Sequence, residues 1–284
     1  MILITGASGN VGSEVLKQAA AAGLPIRAAY QSRDKAKGVP AGVDAVLMDY
    51  TQRETVRAAL RGVEQVFLVG PPLANVADLE SGVVRECQHA RVTHLVKLSA
   101  LGGRQAIFPG LHRDSEERIE ASGVPYTFLR PNGFMQNLVT YNAETIKTQN
   151  AFYAAQGNGA VSHIDIRDIG AVAVKVLSES GHEGKAYALT GPEALTNDQV
   201  AAKLSSATGR TIRYVDLPPA ELKKAMLSGG VPEWSADALL DLQRLYREGK
   251  ASLVDPAVER MLGRKATTFD QFAREYASAF QPAR

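Results

Sequence analysis

The chain opens MILITGASGNVGSEVLKQAAAAG. A short apolar run, Ile2 to Thr5, meets three glycines, Gly6, Gly9 and Gly12, and a helix-like run follows from Ser13 to Ala22. No other stretch limits the fold as much. Glycine costs backbone entropy and adds no packing, so three at one joint mark a place where the backbone must be bare. A helix N-terminus carries unpaired N–H groups and a partial positive charge. A phosphate can sit there when no side chain stands in the way. Gly6 then serves the tight turn, Gly9 the close approach of a ligand, and Gly12 the packing of helix on strand. Ser8, Asn10 and Val11 complete the turn and are candidates for the same contact. The alternative is a strand–turn–helix joint whose glycines serve geometry alone.

The rest of the first half alternates short apolar runs with helical patterns. Strands are expected at Ile26–Tyr30, Ala45–Met48, Gln65–Val69, His94–Ser99 and Tyr126–Leu129. Helices are expected over 52–61, 73–90 and 112–122. Such alternation argues a parallel sheet covered on both faces, an α/β doubly wound fold of the Rossmann type. Ligands of such sheets bind beyond the carboxyl ends of the strands. After Arg130 the rhythm breaks. A dinucleotide-binding domain is expected over 1–155, with a helix and strand around 165–190 returning to it. A smaller, mainly helical substrate lobe is expected over 191–284.

Composition removes some classes. The 284 residues carry a net charge of +2, so no strong electrostatic case exists for nucleic acid or anionic membranes. No apolar run approaches the length of a membrane span, and no basic segment precedes the first strand, so neither a span nor a signal peptide is expected. Cys87 is the single cysteine, which excludes an internal disulfide and fits a cytoplasmic protein.

Four segments, GASGNVG, LVKLSALG, HRDSEERIEASGVPYTFLRPNGFMQN and IDIRDIGAVAVKVL, resemble the NmrA-like branch of the atypical short-chain dehydrogenases/reductases. GKAYALTGPEALTNDQVA and VPEWSADALLDLQRLYREGKAS extend the likeness over nearly the whole chain. That family includes bacterial NAD(P)H quinone oxidoreductases and triphenylmethane dye reductases, and also redox-sensing regulators. The resemblance implies a Rossmann fold, a bound nicotinamide dinucleotide and a small C-terminal lobe. It offers no metal. It also implies cofactor contacts at Asp49 and Tyr50 after the third strand, at Val69, Gly70 and Pro71 after the fourth, at Ser99 and Ala100 after the fifth, and at Pro131 and Asn132 after the sixth.

The second strand ends Tyr30-Gln31-Ser32-Arg33, with Lys35 and Lys37 behind. An acidic residue at that tip usually holds the ribose hydroxyls of NAD. Here there is none, and Arg33 with Lys37 can take a 2′-phosphate. NADPH is therefore expected over NADH, although Gln31 stands where relatives carry Arg.

Ordinary short-chain dehydrogenases pair Tyr with Lys at Y-x-x-x-K. Tyr246 and Lys250 have that spacing but stand far too late in the chain. In the expected place stand His112 and Glu116, with Ser99 upstream. His112, at a helix start, is expected to face the nicotinamide and donate a proton or hydrogen bond, with Glu116 orienting it from the same helix face. The alternative is a pocket-filling His112 without chemistry. Phe134, Asn137 and Tyr141 are expected to line the acceptor pocket. Reduction of a quinone or similar electron-poor acceptor needs less proton transfer than ketone reduction and suits a site without the Tyr/Lys pair. The competing readings are a non-catalytic NADP(H)-sensing regulator and an imine or ene reductase of a biosynthetic pathway. The partner is a small molecule, and the chain is a monomer or homodimer.

Overall fold

The computed structural model describes residues 1–282. Short apolar runs separated by helical stretches become strands β1 (Ile2–Ile4), β2 (Ile26–Tyr30), β3 (Asp44–Leu47), β4 (Gln65–Leu68), β5 (His94–Leu98) and β6 (Tyr126–Pro131). Helices α1 (Asn10–Ala21), α2 (Arg53–Ala59), α3 (Val76–His89) and α4 (Ile107–Ser122) lie between them. With strand Lys185–Leu189 they form a seven-stranded sheet, in which β3, β2, β1, β4, β5 and β6 run in that order and the last strand lies beside β6. Every pairing from β3 through to β6 is parallel. This is a Rossmann-type α/β fold, and the order reverses direction at β1, where ligands of such sheets bind.

Successive strand residues alternate between the two faces. Val66 and Leu68 of β4 join Leu95 and Phe128 in a buried cluster with Val56, Val83, Val84, Cys87 and Ile119 of α2, α3 and α4. Cys87 is thus core, and burial pushes its thiol up to about 12. On the other face α1 packs on helix Ile166–Ser178. Gly170 makes room there, because a Cβ would fall 2.8 Å from Gln18 Nε2.

The chain divides into two contact units. The first comprises Met1–Gly103, Pro109–Pro131 and Ile166–Ala188, and the second Arg104–Phe108, Asn132–Asp165 and the chain from Leu189 on. The expected boundary at 155 lies within the segment 132–165, which groups by contact with the second unit. The reason is pairing that no local pattern announces. Strand β7 (Ala151–Ala154) pairs in parallel with a strand at Arg213–Asp216, Ala151 against Arg213. Val161 bridges Leu195 as well. A core of Met135, Ile146, Phe152, Leu204, Phe269, Phe272 and Phe280 closes this unit.

Helix α4 starts five residues before the expected His112. Pro109 is tolerated in its first turn, where an N–H would have no helical partner anyway. Among the described residues no helix is long and apolar enough to cross a membrane.

Candidate active site

The site begins at the first joint. Gly6 has φ +60°, the left-handed region, and a Cβ there would sit 3.0 Å from Val69 Cβ. A Cβ on Gly12 would overlap the Gly6 carbonyl, 2.7 Å from its carbon. Gly6 is thus required by its backbone conformation and by Val69 beyond β4, and Gly12 by the packing of α1 on the end of β1. Gly9 is different: a Cβ there meets only the Gly6 carbonyl oxygen, at 3.3 Å. Gly9 is the N-cap of α1 and supplies no side-chain cap, and the first turn of the helix carries no acid. Ser8, Gly9 and Asn10 are exposed while Val11 is buried, so the bare N–H end of a twelve-residue helix faces outward. That arrangement fits the pyrophosphate of a dinucleotide.

Beyond β2, Gln31, Arg33 and Lys37 are all exposed. Lys37 pairs with Asp34 at 2.8 Å, and Lys35 donates to Gln31 Oε1 at 3.1 Å. Among the described residues no acid pairs with Arg33, which makes it the available cation of this loop. Asp49 and Tyr50 are occupied otherwise. The Asp49 carboxylate accepts from Thr51 N at 2.8 Å and Thr51 Oγ1 at 2.7 Å, capping the turn into α2. The Thr51 hydroxyl bond is the main reason its carboxyl lies below the usual range. The Tyr50 hydroxyl donates to the Val69 carbonyl at 2.7 Å, tying the two strand-end loops together. The polar atoms of these two residues thus build the loop at the strand ends, where the cofactor contacts are expected. Gly70 and Pro71 follow Val69, and a Cβ on Gly70 would lie 2.5 Å from Glu80 Oε1.

The fifth strand places polar side chains in the buried interior. Leu95, Lys97 and Ser99 lie on the face that α3 and α4 cover. Ser99 donates to Glu116 Oε1 at 2.6 Å. Arg130 grips the same carboxylate with both ends, Nε at 2.8 Å and Nη2 at 2.7 Å, and Arg113 Nη1 reaches it at 2.8 Å. Burial raises the Glu116 pKa, but the bonds from Arg130, Ser99 and Arg113 outweigh this, and it lies below the ordinary value. Four bonds fill its lone pairs. Glu116 therefore orients Ser99 and Arg130, which corrects the expectation that it orients His112. A cavity of about 270 Å³ opens at this strand end, lined by Ala100, Leu101, Arg113, Glu116 and Arg130 among others.

His112 stands in the second turn of α4, not at its start, and is 8% exposed. Its orienting contact comes from a residue that sequence reasoning missed. Lys97 Nζ lies 3.3 Å from His112 Nδ1 and 2.6 Å from Glu80 Oε2, and Glu80 also accepts from the Ser115 hydroxyl. Lys97 and Glu80 are both 0% exposed. One signal could have found them: a lysine inside the apolar run HLVKLS, where a buried charge needs a partner. Burial, then the charge of Lys97, pushes the His112 pKa well below its ordinary value.

In the second unit Asn132 is spent internally. Its Nδ2 donates to Ser162 Oγ at 2.8 Å and to the Ala251 carbonyl at 2.7 Å, and its Oδ1 accepts from Gly133 N at 3.0 Å. These bonds fix the Asn132 side chain at the end of β6. Pro131 is buried at the end of β6. Phe134 and Asn137 are half-buried, and Tyr141, in a π-helical turn over Leu138–Asn142, is 73% exposed. Tyr246 lies in a helix of this unit, where a Cβ on Gly133 would sit 3.4 Å from its hydroxyl. Among the described residues no group of three or more His, Cys, Asp or Glu is placed to hold a metal.

The chain belongs to the NmrA-like family, whose model matches residues 1–273. It is 38% identical to an NAD(P)H azoreductase of Xenophilus azovorans, over 100% of both chains. It is 36% identical to a (4-alkanoyl-5-oxo-2,5-dihydrofuran-3-yl)methyl phosphate reductase of Streptomyces griseus, over 99% of this chain and 100% of that one. Among solved structures it is similar to the NADPH complex of an NADPH-dependent quinone oxidoreductase from Escherichia coli. The TM-score is 0.88 at 28% identity, with 97% and 99% of the two chains covered.

Proposed function

We propose that this chain is an NADPH-dependent oxidoreductase that transfers a hydride to a quinone or similar electron-poor small molecule. The observation that carries the reading is likeness along the full length, at 38% identity, to an NAD(P)H azoreductase. Azo compounds and quinones share the feature that matters: a flat conjugated acceptor that takes hydride and leaves a delocalised anion. The glycine joint supports the cofactor reading, since the uncapped N-terminus of α1 suits a pyrophosphate. Arg33 suits the 2′-phosphate.

When bound, reduced nicotinamide supplies the hydride. The protein's part is placement. Gly6, Ser8, Gly9, Asn10, Val11 and Gly12 hold the phosphates, while Val69, Gly70, Pro71, Ser99 and Ala100 border the dinucleotide at the strand ends. His112 faces the acceptor. Ser99 is fixed by Glu116, and Glu116 by Arg130 and Arg113. Phe134, Asn137 and Tyr141 serve the acceptor. The protein works in the cytoplasm, as a monomer or homodimer, without nucleic acid or membrane.

A second reading, an ene reductase, is favoured by the 36% identity to a reductase of a dihydrofuranone phosphate, a compound whose ring holds a conjugated C=C bond. One experiment separates the readings. NADPH oxidation is followed at about 340 nm, the reduced nicotinamide band, with a benzoquinone, a naphthoquinone, an azo dye, a triphenylmethane dye, a cyclic imine and a butenolide. Turnover on the quinones or dyes is expected. Turnover on the butenolide alone selects the ene reductase. Tight NADPH binding with no turnover on any acceptor overturns the enzyme reading in favour of a redox sensor.

A further inference from the structure

Lys97 lies inside β5, a strand whose every residue is buried, and the function above gives its charge no task. Removing an ion pair from water is expensive, and such a pair is a weak device for stability alone. Its geometry specifies something else. Glu80 accepts on both oxygens from Lys97, at 2.7 and 2.6 Å, and on Oε2 also from the Ser115 hydroxyl. An acid that accepts at each of these contacts is a carboxylate, and the lysine facing it is an ammonium. An ammonium has three hydrogens and no lone pair: two go to Glu80, and the third is shared between the Leu98 carbonyl and His112 Nδ1, each at 3.3 Å. In its 3.3 Å contact with His112 Nδ1 it can only donate. Nδ1 is then the acceptor, and the ring hydrogen resides on Nε2.

We propose that the Lys97–Glu80 ion pair locks His112 as its neutral Nε2–H tautomer, so that His112 meets the reducible group as a fixed hydrogen-bond donor and not as a proton donor. The inference rests on the reading above that His112 faces the acceptor. Lys97 is a positioning residue. The anion left on the acceptor by hydride addition accepts a bond from Nε2–H and takes its proton from water. His112 ends the turnover with the proton it began with. A preorganised donor of this kind stabilises developing charge without a change of protonation state.

The surrounding charges agree. Lys97 faces the ring from β5, with Glu80 of α3 behind it. The ring's own helix carries Arg113, Asp114 and Glu116, and the Glu116 charge is met by Arg113 and by Arg130 of β6. A second proton on His112 would press an N–H against the ammonium.

Long-range nitrogen–proton correlation spectra of the full chain read the tautomer directly, with His112 assigned by comparison with His112→Gln. The wild type is expected to show Nε2–H and to stay neutral from about pH 8.5 down to about pH 6, with kcat for benzoquinone flat over that window. Lys97→Met combined with Glu80→Gln removes both charges and leaves no buried ion unpaired. In that variant the ring is expected to populate both tautomers and to titrate near its ordinary value. kcat is expected to fall about tenfold and to acquire a pH-dependent limb, while NADPH affinity stays within about twofold. An Nδ1–H or doubly protonated ring in the wild type overturns the proposal, whether or not the double variant folds and whether or not turnover is found. An unchanged tautomer in the double variant overturns it too. If the lock holds but His112→Gln turns over at the wild-type rate, the acceptor-facing reading has failed and takes the donor role with it.

Discussion

Arg33 is one of three basic residues in the loop after β2, and contacts separate it from the other two. Lys35 is bonded to Gln31 and Lys37 to Asp34, whereas no acid among the described residues pairs with Arg33. A guanidinium meeting a phosphate makes charge-assisted bonds worth about 1.5–3 kcal/mol. Arg33→Ala is therefore expected to raise the Kd for NADPH about tenfold or more and to leave that for NADH within about twofold. Titration by fluorescence checks this, and equal losses for both nucleotides would remove the 2′-phosphate contact. At this scale the sequence was only partly legible. The basic loop could be read from composition, but which of its cations is spoken for depends on side-chain contacts. Asp49 teaches the same lesson: an acid after a strand can serve a ligand or hold a turn, and its bonds to Thr51 were visible only in the contacts.

The joint between β1 and α1 separates two uses of glycine within one element. Gly12 is bare because the helix lies on the strand end, and a Cβ would overlap the Gly6 carbonyl. Gly12→Ala is expected to lower Tm as well as to abolish NADPH binding. Gly9 has only a 3.3 Å neighbour and an extended backbone, φ −86° and ψ 168°, that any residue adopts. Gly9→Val is expected to keep the wild-type Tm and circular dichroism while losing dinucleotide binding, because its side chain would stand where the anion sits. Thermal melts beside NADPH titrations test the pair, and unchanged affinity in Gly9→Val would detach the joint from the cofactor. The strands and helices of the first half were readable because each carries its own periodic signal. Strand β7 was not read, because it follows the break in rhythm after Arg130 and its partner strand lies about sixty residues on, Ala151 against Arg213. Helix α4 begins five residues before the expected start, with Pro109 in its first turn.

Across the whole molecule, three histidines are held neutral by burial. Burial lowers the His94 pKa, with the Glu183 charge acting against it and His182 with it. His112 lies well below its ordinary value through burial and Lys97. His163, whose Nδ1 is out of water, is pushed by burial down to about 4, a bond to the Gly133 backbone opposing. The sign is common to all three. Above about pH 6.5 the rings are neutral in both folded and unfolded chains, and below it the unfolded chain binds protons that the folded one refuses. Stability is expected to fall steadily as pH drops from about 6.5 toward about 4, ahead of the titration of most carboxylates. Urea denaturation at half-unit pH steps checks this, and a flat midpoint across that window would contradict it.

The sequence by itself determined the succession of strands and helices in the first half of the chain, the Rossmann-type class and the bare glycine joint. These follow from local periodicity and from the backbone conformations that only certain residues allow. Only the tertiary structure decided which polar groups meet. Lys97 finds Glu80 across 17 residues, and Asn132 finds the Ala251 carbonyl across 119. It also decided that 132–165 group with the later part of the chain. Such meetings are fixed by sheet register and by the docking of helices on strands, relations between distant residues that no local pattern encodes.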